Sequence, residues 1–159
     1  MNLEISIEAE WSGETDWDAL ADRAADAAGQ IAPELANPRL SASLLLTSDS
    51  QVHHLNQQWR GKDEPTNVLS FPMLPRDELL ALASDSPPEL LGDIALAIET
   101  CIREAAEKQV PLEHHAAHLV VHGLLHLAGH NHETGPAEAQ AMELLEIKAL
   151  ALMGIANPY

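Results

Sequence analysis

Polar and apolar residues alternate over residues 2–8, with Leu3, Ile5 and Ile7 on one side, which is the period of a half-buried strand. The pattern then turns helical from Trp17 to Gln30, where Leu20, Ala24, Ala27 and Ala28 share a face and Asp16 stands at the N-cap. The run Leu40 to Thr47 predicts a second strand. Asp49 or Ser50 is then expected to cap a short helix through Leu55 to Trp59, ended by the turn Gly61-Lys62-Asp63-Glu64-Pro65. Val68 to Phe71 is apolar and short, a third strand stopped by Pro72.

Residues 75–90 are rich in Pro, Ser, Asp and Glu and predict an exposed loop with a short helix in Asp77 to Ala83. Leu91 to Ile98 is a fourth strand, and Glu99 to Lys108 is helical. Pro111 suits the first turn of a helix running to about Ala128, and a last amphipathic helix spans about Pro136 to Met153. No internal repeat or linker interrupts residues 1–159, so a single compact domain is expected. Strands placed early and helices late imply an α+β fold, one mixed sheet of about four strands covered by helices.

At 159 residues and 46% hydrophobic, the chain is long enough to bury a core, and with 3% aromatic residues Leu, Ala, Ile and Val must fill it. Cys101, the single cysteine, has an apolar setting in Ile98-Glu99-Thr100-Cys101-Ile102 and suits a structural thiol in a reducing compartment. No secretory signal and no stretch of membrane-spanning length is evident, so a soluble cytoplasmic protein with no membrane partner is expected. The formal charge of −17 argues against loose electrostatic binding to nucleic acid, and a nucleic-acid substrate would need a local positive patch. Among only eight Lys and Arg residues, Arg60 and Lys62 are the tightest pair, ordinarily a solvated turn.

Candidate chemistry concentrates in His122-Gly-Leu-Leu-His126-Leu-Ala-Gly-His-Asn-His132, where histidines follow at offsets of four and six. Two imidazoles four apart on a helix share a face and can reach one cation. Gly129 lets the chain leave the helix through a left-handed conformation and return His132 from another direction, with His130 as the competing third ligand. Three nitrogen ligands without a fourth describe an open site. A helix end carrying solvated histidines is the plainer explanation of the same residues.

This stretch closely resembles the signature of the YbeY family, bacterial metal-dependent endoribonucleases of ribosomal RNA maturation. A second block, Leu55 to Pro72, with Arg60-Gly61-Lys62-Asp63-Glu64-Pro65-Thr66-Asn67 at its centre, resembles the other family hallmark, and Leu91-Gly92-Asp93-Ile94 fits the strand between them. The resemblance covers about residues 40–135 well. It implies a compact α+β fold, one Zn2+ per chain held by His122, His126 and His132, and an arginine needed for activity, Arg60 by position. His130 and Asn131 depart from the tyrosine and aspartate common in relatives, and an uncharged Asn131 would change how the third ligand is tuned.

The spacing H-x-x-x-H-x-x-G-x-x-H is also that of metzincin peptidases, so a zincin-like metal-binding helix is expected. Those enzymes carry a glutamate general base after the first histidine, and Gly123 stands there instead, which disfavours peptide hydrolysis. A phosphodiester asks less at the leaving group, and Arg60 suits the charge developing on phosphorus while Lys62 attracts the RNA backbone. Glu133 is a weaker candidate for proton transfer, and His118, Thr66, Asn67, Ser70 and Asp93 are candidates to support the site. The expected function is a single-strand-specific metallo-endoribonuclease acting late in maturation of the 16S rRNA 3' end and in 70S ribosome quality control. Its partners would be single-stranded RNA, ribosomal RNA and the small ribosomal subunit, with a protein partner suggested by the acidic surface. The alternatives are a metallopeptidase or amidase on a related scaffold and a non-catalytic ribosome-associated module with structural zinc.

Overall fold

The structure, a computed structural model, describes residues 1–85, 87–131 and 134–159. The strands are β1 (Asn2–Ile7), β2 (Leu40–Thr47), β3 (Val68–Pro72) and β4 (Glu89–Ala97). The helices are α1 (Trp17–Ile31), α2 (Asp49–Arg60), α3 (Arg76–Leu80), α4 (Ile98–Lys108), α5 (Leu112–Leu127) and α6 (Pro136–Leu152). The sheet runs β1-β2-β4-β3, with β1, β2 and β4 parallel and β3 antiparallel at the edge, so the expected mixed four-stranded sheet is observed. Pro72 is tolerated inside β3 because that strand lies at an edge, where a missing N–H costs little.

Alternation along β2 and β4 divides the core between the two faces of the sheet. Leu40, Ala42, Leu44 and Leu46 of β2, with Leu91, Ile94 and Leu96 of β4, join α1, α5 and α6 in the main core. Ala95, Ala97 and Leu69 face the other way and pack beneath Val52 of α2. In α1 the expected inward residues are buried, and Asp16 accepts the Ala19 N–H at 3.0 Å. Ser48, one residue earlier than expected, caps α2 through the Gln51 N–H, because Asp49 is engaged by the Thr100 amide and hydroxyl at the start of α4. The alternation of β1 fades at Ile7, which is 40% exposed.

Helix α5 is buried over most of its length, as befits a helix enclosed by other elements. Ala116, Ala117, Leu119, Val120, Val121, Leu124, Leu125 and Leu127 are all buried, and His122 and His126 occupy a half-buried stripe. One component of the expected fold class requires correction. Among the described residues no group of three or more His, Cys, Asp or Glu side chains could hold a metal ion, so α5 is a central core helix and not a zincin-like metal-binding helix. No helix among the described residues is long and apolar enough to cross a membrane.

Candidate active site

The end of α2, the turn after it, β3 and the second half of α5 enclose a polar cleft of about 370 Å3. Arg60 is the last residue of α2, and Gly61 follows it in the left-handed conformation, φ 66°. The Gly61 N–H reaches the Gln57 carbonyl at 3.1 Å and the Lys62 N–H reaches Asn56 O at 3.2 Å, a helix ending that satisfies the last carbonyls. This reversal brings Arg60 and Lys62 to one rim of the cleft. Buried Asn56 holds the same loop from below by donating Nδ2 to the Glu64 carbonyl at 2.8 Å.

His122 and His126 line the same cleft, their ring centroids 4.6 Å apart and their planes at 75°. The offset of four on α5 sets this pairing. Gly123 between them faces the sheet, where it packs against Ile94, so the imidazoles turn toward the cleft. Thr66, Asn67, Ser70 and Asn131 also line it. Asn67 donates Nδ2 to Glu104 Oε1 at 2.9 Å and accepts the Ala97 N–H at its carbonyl, which fixes the start of β3.

Behind His122 lies Glu146 of α6, 1% exposed. Its Oε1 is 3.1 Å from His122 Nδ1 and 2.7 Å from His118 Nε2, and it accepts the Tyr159 hydroxyl at 3.0 Å. Burial works to raise the Glu146 carboxyl, but hydrogen bonding and attraction from His118 and His122 outweigh it and bring the group down to about 2. Tyr159 is pushed up from the ordinary phenol value by burial and by the Glu146 charge.

The exit of α5 is held separately. Gly129 has φ 93°, as its place after the helix suggested, and Arg76 packs so closely that a Cβ there would lie 2.8 Å from the Arg76 Cβ. Arg76 Nη1 donates to the Ala128 carbonyl and to Glu34 Oε1, and the same Glu34 oxygen faces His130 Nε2 at 3.0 Å. His130 is therefore turned to a carboxylate of another element.

Of the predicted site residues, the structure brings together Arg60, Lys62, His122 and His126, while His132 and Glu133 lie outside the described residues. The expectation of one Zn2+ per chain is corrected on this ground. Among the described residues no three His, Cys, Asp or Glu donors come together as a metal site, and His115, His118 and His130 pair with Glu104, Glu146 and Glu34 respectively. Asp93 pairs with the Ser43 hydroxyl across the sheet and takes no part in the cleft. Cys101 is fully buried, and burial pushes its thiol up to about 12, in keeping with a structural role.

Comparison with known proteins adds to this geometry. A family model described as Endoribonuclease YbeY matches residues 5–154. The chain belongs to the YbeY endoribonuclease family. A YbeY endoribonuclease of Novosphingobium aromaticivorans is 60% identical over 158 residues, covering 99% of this chain and 95% of its own length. Another, of Erythrobacter litoralis, is 60% identical over 159 residues, covering 100% of this chain and 98% of its own. The solution structure of a Thermotoga maritima protein is similar with a TM-score of 0.60 at 26% identity, covering 94% of this chain and 87% of that one.

Sequence reasoning missed Glu146 and Tyr159. A signal for Glu146 was present, since it interrupts the buried stripe Met142, Ala149 and Leu150 of α6 with a carboxylate. Tyr159 carried none, because only the folded chain brings it to His118.

Proposed function

We propose that the cleft between α2, β3 and α5 is the place where this chain, as a YbeY-family endoribonuclease, breaks phosphodiester bonds of single-stranded RNA. Family membership supports a role in ribosomal RNA processing and ribosome quality control. The observation that carries the reading is that Arg60 and Lys62 share one cleft with His122 and His126. The planar Arg60 guanidinium can donate two hydrogen bonds to phosphate oxygens and take up the charge that grows on them as the P–O bond breaks. Lys62 supplies a sequence-independent attraction to the backbone, and the imidazoles of the same cleft supply its reactive groups.

Maturation of the 16S rRNA 3' end, cytoplasmic location and action on the small subunit are the finer parts of this proposal. With a net charge of −17, affinity for naked RNA is low and falls further with salt, so a protein partner on the ribosome would supply the targeting. The test compares matched single-stranded and duplex RNA, with an identically purified His126→Ala protein controlling for contaminating nucleases. Cleavage of the single strand that disappears in the variant supports the reading. Equal cleavage by both proteins would remove His126 and its cleft from the chemistry.

A further inference from the structure

His122 stands between two cavities. One is the cleft just described. The other, about 230 Å3, is lined by Glu104, Lys108, His115, His118 and Tyr159 on the far side of the ring. Glu146 Oε1 lies at His122 Nδ1 while also meeting His118 and Tyr159. His118 stacks edge-on against both His122 and Tyr159, with centroids 6.4 and 5.4 Å apart, so the ring has little room to turn.

We infer that Glu146 is a positioning residue for His122: it holds the proton on Nδ1 and so directs the Nε2 lone pair into the cleft. This rests on the proposed reading of the cleft. In a neutral imidazole one nitrogen carries the proton and the other the lone pair, and a carboxylate oxygen can only accept, so the nitrogen facing it is the donor. A carboxylate partner of this kind fixes both the tautomer and the ring orientation of a functional histidine. The Tyr159 hydroxyl and His118 complete the shell around the same oxygen. His118 meets it with Nε2, while His118 Nδ1 is buried and has no hydrogen-bond partner among the described residues. His118 is thus oriented toward Glu146 and not toward the RNA.

The tautomer of His122 in the full chain can be read from long-range 1H–15N correlations of its ring, beside kcat and KM for single-stranded RNA. The wild type is expected to show the Nδ1–H form, and an Nε2–H form would overturn the inference without any variant. Glu146→Leu keeps a side chain of similar length but offers no acceptor to His122 Nδ1. It is expected to lose the Nδ1–H form and to lower kcat roughly 10-fold or more with little change in KM. A folded Glu146→Leu protein with wild-type kcat and an unchanged His122 ring would refute it. Tyr159→Phe removes one donor from the same oxygen and should leave the Nδ1–H form in place; its loss there would assign the positioning to Tyr159 instead. Should the wild type cleave no RNA, the reading of the cleft falls, while the ring tautomer still decides the role of Glu146.

Discussion

Gly123 on α5 lies directly against Ile94 on β4, so close that a Cβ on the glycine would sit 3.0 Å from Cδ1 and Cγ2 of the isoleucine. This contact lets the helix settle onto the sheet and turns the histidines on either side of it toward the cleft. It also gives the physical reason why the position cannot carry the peptidase glutamate: a carboxylate there would be driven into a buried apolar layer without a partner.

Gly123→Glu is therefore expected to destabilise the fold by about 3 kcal/mol or more and to lower the melting temperature by roughly 6–12 °C. It should confer no peptide cleavage. Thermal unfolding and a casein assay check both parts, and a variant as stable as the wild type would contradict the packing described.

Arg60 is exposed and ends its helix, so removing its side chain should leave stability within about 0.5 kcal/mol. Arg60→Ala is expected to lower kcat on single-stranded RNA by about 100-fold, and Arg60→Lys to recover only part of it, since an ammonium lacks the planar fork. Lys62→Ala should act on binding, flattening the salt dependence of RNA affinity by about 0.7 in log–log slope. Unchanged kcat in Arg60→Ala would take that residue out of the reaction.

Gly92 is paired with Pro72 across the β3–β4 ladder, at φ 153°. A Cβ on it would run into the Phe71 carbonyl oxygen and lie 2.8 Å from Leu127 Cδ2. Gly92→Ala should push β3 and the end of α5 apart, costing about 2 kcal/mol and displacing two walls of the cleft. Chemical denaturation and RNA cleavage are expected to fall together; full activity with reduced stability would show that the cleft tolerates the shift.

Acid should unfold the protein partly through Glu104 and His115, whose Oε1 and Nε2 are 2.8 Å apart. Burial works to raise the Glu104 carboxyl, but hydrogen bonds from Asn67 and His115 outweigh it and hold the group below its ordinary value. Burial pushes His115 down, and Glu104 offsets this only in part. Both groups therefore bind protons less readily in the folded chain than in the unfolded one, and stability rises with pH across both titrations. The His115 contribution is complete above its ordinary value of 6.5 and is lost as pH falls through its lower folded value. That of Glu104 is complete above 4.5 and disappears further into acid. Melting temperatures from pH 8 to pH 3 should show this, and Glu104→Gln should flatten the fall below pH 4.5, where only the wild type loses the Glu104 contribution; an unchanged fall there would exclude it.

Strand and helix boundaries were legible in the chain where burial on one face imposes a period of two or 3.6 residues. Leu40–Thr47 is an instance, as is α1 with its Asp16 cap. His122 and His126 were legible for the same local reason, since an offset of four on any helix sets two side chains together. Arg60 and Lys62 were marked by charge and by the glycine between them. Tertiary structure alone decided which groups face these residues. Nothing in local periodicity tells that Glu146 and Tyr159, on or beyond the last helix, come to His118 and His122, that Glu34 takes His130, or that Ser43 takes Asp93. Such pairings depend on how layers dock, and a buried polar group takes whichever partner the docking brings within reach, however far away it lies in sequence.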